Sequence, residues 1–342
     1  MNKKILIILF VLAISCVSFA RSFLGLVGVI PWQYGYSDVF NEDRIGAESA
    51  EKIPYLEKQI EYPVITGFFI YFMWHLGKTA GGYAVMSWIF LTIFAVMTAL
   101  ILHELTDLLK AKRESLYWFF IFAPSLALFM IYNWDIIAVM FTVASIYFFC
   151  KNKYASSAFF LSLGFNAKLF PVIILPLMIL KTNLRQGIKM ISVFALTFLA
   201  LNIYFITGSF DTWKTTYTFH GLREPNVDSL WSLTNLGTGT INILSIILFL
   251  APYSMLILHH KKYDFIDLSL ASILLFLLFN KIFSPQYLLW ILPFFVLSKR
   301  MPQIFFYPLE ITNIIVIFST FYWIFASKEQ VFLTISHLSV II

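Results

Sequence analysis

The sequence predicts an all-α polytopic membrane protein, and three observations carry that prediction. The first is composition: of 342 residues, 60% are apolar and only 12% are charged, and 38 phenylalanines run through the whole length. Mean hydropathy is +0.83. A soluble domain of this size exposes far more charge. The second is where the basic residues sit. The net charge of +6 comes in short clusters between apolar runs: Lys3-Lys4, Lys110 to Arg113, Lys151 to Lys153, Lys181 to Arg185, His259 to Lys262 and Lys299-Arg300. Such clusters mark cytoplasmic loops, not a nucleic-acid surface. The third is a set of polar breaks between apolar runs too short to cross a bilayer alone. Cys16 and Cys150 both lie inside apolar runs, so no disulfide framework is expected.

The chain opens on MNKKILIILFVLAISCVSFA, with the basic start, apolar centre and small residues near Ala20 of a signal peptide. Apolar sequence continues to Ile30, interrupted only by Arg21-Ser22, which favours an uncleaved first helix over 5–30. Arg21 then either snorkels to a surface or pairs with something functional. Further spans are expected at 83–103, 117–133, 135–150, 189–207, 237–258 and 304–326, with shorter ones at 155–165, 169–180, 265–279 and 286–298. Segment 62–76 decides the topology. As a full span it would put Lys110 to Arg113 on the opposite side from Lys3-Lys4. Its shortness and the following Gly77 and Gly81-Gly82 point to a juxtamembrane or partly inserted helix. By the same parity, 155–180 is an in-and-out pair broken at Asn166-Ala167-Lys168.

The result is one integral membrane domain over 1–342 with about eleven transmembrane helices. The N-terminus is expected in the cytoplasm, with loops 31–61 and 208–235 and the tail 327–342 outside. Loop 31–61 suits that side, holding Asp38, Glu42, Asp43, Glu48, Glu51, Glu57 and Glu61 against Arg44, Lys52 and Lys58.

The polar breaks then all fall on the outer side: Asp38, Asn133-Trp134-Asp135, Asn166 to Lys168, loop 208–235 and Asn280 to Gln286. Non-helical backbone at membrane depth is buried in protein or lines a wet cavity, so a recessed outer pocket is expected. Lys168 and Lys281 each follow an asparagine and precede a proline (Pro171, Pro285). They read as snorkelling anchors or as phosphate contacts, with Arg223 a third cation. Asp38, in PWQYGYSDVFNEDRI, is either one acid among seven or a general base toward a hydroxyl. Asp135 either favours the start of a helix or orients a substrate or a lysine. Pro63, after Glu61-Tyr62, opens the short helix at a first-turn position. No nucleotide-binding, HExxH or CxxC pattern occurs, and the histidines lack ligand spacing, so no metal, cofactor, nucleotide or nucleic acid is expected.

The ordered set of these elements resembles the polytopic glycosyltransferases of the GT-C superfamily, and within it the glycosyltransferase 87 type, the polyprenyl-phosphate-mannose-dependent α-mannosyltransferase-like proteins. The resemblance rests on Asp38 in YSDVF, Glu61-Tyr62-Pro63, Asn133 to Asp135, the Asn166, Lys168 and Pro171 element of GFNAKLFPVIILP, and Lys281, Ser284, Pro285, Gln286, Tyr287, Trp290 and Pro293. It implies a GT-C-like bundle with short broken or juxtamembrane helices on the outer side of the cytoplasmic membrane. It implies transfer of a hexose, mannose by resemblance, from a polyprenyl-phosphate sugar to a lipid or glycan acceptor, inverting and metal-independent. Asp38 would be the catalytic base. Lys281, Lys168, Arg223, Gln286 and Tyr287 would hold the donor phosphate, and Asp135, Asn133, Trp134, Asn166, Tyr36 and Tyr62 would shape the sugar and acceptor sites. The alternative is a flippase or transporter of a lipid-linked sugar, since broken helices and recessed cations also mark transporters.

Overall fold

The computed structural model describes residues 2–41, 52–300, 303–327 and 330–341. Among them the chain is helical throughout, with no sheet and one isolated bridge, Pro54 to Lys58. Backbone in hydrocarbon must pair internally, and an apolar helix does so within its own segment. Five helices are long and apolar enough to cross a membrane: Lys3–Leu26, Ala80–Leu108, Leu184–Gly208, Thr238–Leu258 and Phe306–Ala326. Shorter apolar helices fill the bundle, including Val64–Gly77, Asp135–Cys150 and Phe265–Phe279. The protein is thus a polytopic, helix-only membrane bundle. The helices 184–208 and 238–258 carry its most exposed apolar faces, with Leu196, Tyr204, Met255 and Leu258 all turned outward. The acids Glu42, Asp43, Glu48 and Glu51, with Arg44, lie outside the described residues.

Side-chain caps start several helices by taking up free amides. Asn2 accepts from Lys4 N at 3.0 Å, Thr79 from Gly82 N at 3.0 Å, Asn183 from Gln186 N at 2.9 Å and Asp264 from Ile266 N at 2.9 Å. The first, third and fourth of these starts lie at one end of the bundle, where the basic clusters also gather. Lys4 pairs with Glu104 at 2.7 Å, so the first helix runs antiparallel to Ala80–Leu108, and Phe19 meets Trp88 farther along. At the same end Phe149 packs on both Tyr154 and Phe265, the Lys181 ammonium donates to the carbonyls of His260 (2.7 Å) and Tyr263 (2.8 Å), and Ser298 donates to Asp267 at 2.5 Å.

Segment 62–76 becomes the helix Val64–Gly77. Its 14 residues reach about 21 Å, short of the roughly 30 Å of hydrocarbon. It pairs antiparallel with Ala80–Leu108, through Trp74 on Tyr83 and Phe69 on Phe94. The turn is tight: Lys78 is left-handed at φ 59°, and a Cβ on Gly82 would lie 2.1 Å from the Gly77 carbonyl oxygen. At its other end Thr66 donates to the Ala167 carbonyl at 2.7 Å, inside the bundle. The helix therefore starts in the recess and rises to a turn at the end opposite the basic clusters.

Several expected elements differ in detail. Segment 117–133 is not one helix: a π-helical turn, Tyr117–Ile121, ends before Pro124, and Pro124–Phe129 restarts it. The buried Glu310 carboxylate accepts from Ser125 N at 2.7 Å, taking up one amide of that restart. Segments 169–180 and 286–298 each begin as a 3-10 turn, Phe170–Ile174 and Pro285–Trp290, because prolines interrupt the α ladder. The region 208–235 is not simply a loop, since Phe210–Leu222 is a helix. Part of the tail also folds back: in Gln330–Ile341, Phe332 packs on Tyr322 and the Ser336 hydroxyl lies 2.7 Å from that of Thr320.

Candidate functional site

The breaks meet at the end of the bundle opposite the basic clusters, around a cavity of about 370 Å³. Each wall comes from a different interruption of a helix.

On one wall stands Asp38, on the strap that follows the first helix. The strap is held by backbone pairing, Asp38 N to the Tyr132 carbonyl at 2.8 Å, and by Ser37 donating to the Ile131 carbonyl at 2.7 Å. The Asp38 carboxylate is buried but lines the cavity. One oxygen accepts from the Tyr36 hydroxyl at 2.9 Å and the other from the Asn133 amide at 2.8 Å. Asn133 also lies 3.3 Å from the Tyr62 hydroxyl, and its own oxygen accepts from Trp134 N. The Tyr36 ring packs against Phe321 and Phe325 of the C-terminal part, both on the cavity wall.

Across the cavity is Lys168. The helix Tyr154–Ala167 stops there because the chain turns extended at Lys168, three residues before Pro171. Its ammonium is 3.0 Å from one oxygen of Asp135, which is fully buried and also accepts from the Trp290 indole at 3.0 Å. That buried pair, 14% and 0% exposed at the two side chains, orients the lysine. The Lys168 ammonium lies 5.0 Å from the Tyr62 ring centroid and 5.4 Å from that of Tyr287. Tyr287 stacks on Trp290 at 4.0 Å, and Trp290 stacks on Phe170 at 4.3 Å.

A third wall is the break after Phe265–Phe279. Asn280, Ile282, Ser284 and Gln286 line the cavity, and the Ser284 hydroxyl donates to the Gln286 side chain. Asn280 turns the chain here, its side chain accepting from Ile282 N at 3.1 Å and donating to the Ile282 carbonyl at 3.2 Å, and Lys281 and Phe283 are not part of the lining. Lys281 is the clearest departure from expectation. Its ammonium does not line the cavity; it donates to the carbonyls of Gly221 (3.1 Å) and Arg223 (2.5 Å). Its carbonyl accepts from Asn226 N at 2.9 Å, while the Asn226 amide donates to the Phe283 carbonyl at 2.7 Å. Lys281 thus braces the segment that carries Arg223 and Asn226 to the wall.

Of the residues expected from sequence, Tyr36, Asp38, Tyr62, Asn133, Lys168, Arg223, Gln286 and Tyr287 line the one cavity. Asp135 stands behind Lys168. Trp134 does not line it but packs edge-on against Tyr62 at 5.1 Å. Asn166 is not on the wall: buried, it donates to the Ser162 carbonyl and accepts from Asn202, whose own oxygen accepts from the Trp213 indole, so it ties three helices together.

Residues on the wall that have no site role from sequence are Glu61, His220, Asn226, Asn280 and the aromatics Phe321 and Phe325. His220 and Arg223 are three apart, one helical turn, which is informative only once 210–222 is known to be a helix. Burial pushes the His220 imidazole down to about 4, Glu61 opposing and Lys168, Arg223 and Lys281 assisting. The folded protein therefore binds fewer protons than the unfolded chain between pH 6.5 and about 4, and His220 removes stability as pH falls through that window. Unfolding of the wild type in detergent is expected to lose more stability from pH 6.5 to 4 than His220→Gln does. Parallel pH curves for the two would contradict the burial of a neutral imidazole. Among the described residues no group of three His, Cys, Asp or Glu side chains is placed to hold a metal ion.

No protein-family model matches this chain, and no curated protein matches it in sequence.

Proposed function

We propose that this protein is a polytopic glycosyltransferase of the GT-C kind, transferring a hexose, mannose by resemblance, from a polyprenyl-phosphate sugar to a lipid or glycan hydroxyl. The observation that carries the reading is a carboxylate, Asp38, and two cations, Lys168 and Arg223, lining one cavity recessed in a membrane bundle. The gathering of basic clusters at the other end supports a cytoplasmic N-terminus and a site facing outward. Nucleotide sugars are absent on that side, so the donor would arrive through the bilayer.

In this mechanism Asp38 takes the proton of the acceptor hydroxyl, whose oxygen attacks the anomeric carbon from the face opposite the phosphate. The bond from that carbon to the phosphate oxygen breaks, its electron pair leaves with the lipid phosphate, and the configuration inverts. Lys168, held by Asp135, and Arg223, held through Lys281, stabilise the charge that develops on the phosphate oxygen. A second carboxylic acid is unnecessary, because phosphate leaves without protonation. The charged side chains described on the cavity wall are Asp38 and Glu61 against Lys168 and Arg223.

The test is transfer by the purified protein in proteoliposomes, from radiolabelled polyprenyl-phosphate mannose and other polyprenyl-phosphate hexoses to a membrane extract. Labelled product from at least one donor is expected. No transfer from any of them, together with movement of the labelled lipid between leaflets, would replace this reading by that of a flippase.

A further inference from the structure

The first helix carries a half-buried arginine that the mechanism above does not use. Arg21 lies at the level of the cavity, and its guanidinium reaches three backbone carbonyls: Tyr34 at 2.7 Å through one terminal nitrogen, and Tyr36 at 3.2 Å and Leu128 at 3.0 Å through the other. The second nitrogen also lies 3.3 Å from the Ser22 hydroxyl. These carbonyls belong to two chain segments 92 residues apart, Tyr36 and Leu128, joined here by one planar group. Asp38 follows Tyr36 by two residues. Asn133, which donates to the Asp38 carboxylate, follows Leu128 by five.

We propose that Arg21 is a positioning residue for Asp38, setting the register between the strap 34–38 and the segment 128–133. The inference rests on Asp38 being the base. An arginine suits the task because its donors form a rigid fork, and three carbonyls at membrane depth need donors. A charged residue in a membrane helix is costly to keep unless it does work of this kind. A second contact acts with it one turn along the same helix. A Cβ on Gly35 would lie 2.5 Å from the Gly25 Cα, so the short helix Trp32–Gly35 rests backbone to backbone on the first helix. Together Arg21 and Gly25 hold the strap against the first helix at one level. The strap's own bonds to Ile131 and Tyr132 then place the Asp38 carboxylate within 2.8 Å of Asn133.

Arg21→Lys keeps the charge but brings a single nitrogen that cannot reach all three carbonyls in their present arrangement. Displacement of a reacting group by about 1 Å costs on the order of 10²-fold in rate. For Arg21→Lys, kcat per mole of folded, monodisperse protein is expected to fall by that order while the donor KM stays within about twofold. Should Arg21→Lys fail to fold, Gly35→Ala, which lifts the same strap from the first helix, carries the test with the same expectation. A folded variant with kcat within about twofold of wild type overturns the proposal. So does a raised donor KM at unchanged kcat, because it would make Arg21 a support of binding only. Asp38→Asn is measured in parallel. Activity in Asp38→Asn would sink the base itself, whereas an inactive Asp38→Asn beside a fully active Arg21→Lys would sink only the positioning role.

Discussion

Asp38→Asn is expected to lower sugar transfer by roughly 10²- to 10⁴-fold, the usual contribution of a positioned general base. The substitution is nearly isosteric. The Asn133 amide keeps an oxygen acceptor at 2.8 Å, and the Tyr36 hydroxyl rotates to accept instead of donate. Transfer is therefore measured per mole of folded, monodisperse protein, so that lost transfer reports on chemistry and not on folding. Donor KM should also be nearly unchanged, since the carboxylate acts on the acceptor. A variant that transfers at the wild-type rate would remove Asp38 from the mechanism and leave Glu61 as the other carboxylate described in the cavity lining.

Lys168→Met should affect both stability and transfer. Asp135 is fully buried and Lys168 is only 14% exposed at the side chain. Removing the lysine leaves a buried carboxylate that still accepts from the Trp290 indole but has lost its cation, and breaking one side of such a pair costs about 3–5 kcal/mol. The double variant Lys168→Met/Asp135→Asn should recover most of that stability, because no unpaired charge remains. It should still fail to transfer, because the donor phosphate has lost its cation. Recovery of transfer along with stability would show the pair to be scaffold, with the phosphate held by Arg223 alone. Unfolding in detergent and transfer in proteoliposomes, on the same preparations, separate the two outcomes.

The helical membrane class was legible because hydropathy and basic clusters are properties of short stretches. Parity of those clusters argues against a full span at 62–76, where the structure has the 14-residue helix Val64–Gly77, bonded to the Ala167 carbonyl through Thr66. Breaks such as Asn133-Trp134 and Asn280 to Gln286 were visible as polar letters in apolar text. The interior of each break was harder. A lysine between an asparagine and a proline reads the same whether it faces a cavity or a carbonyl. Lys168 does the first and Lys281 the second, because the end of the helix 210–222 brings the Gly221 and Arg223 carbonyls to Lys281.

What the sequence by itself determined is the solvent this chain folds in, the order of its long apolar helices and most of the polar breaks between them. All of these follow from local composition. The tertiary structure alone decided which of those breaks face one another. The Asp38 wall draws on residues 94 to 95 positions away, and the Lys168 wall on an indole 155 positions from its aspartate. Pairings over such separations depend on how apolar helices pack, and apolar letters do not encode a unique partner. The same reason hid His220 and Phe325: each is ordinary in its own segment and acquires a role only from the wall opposite.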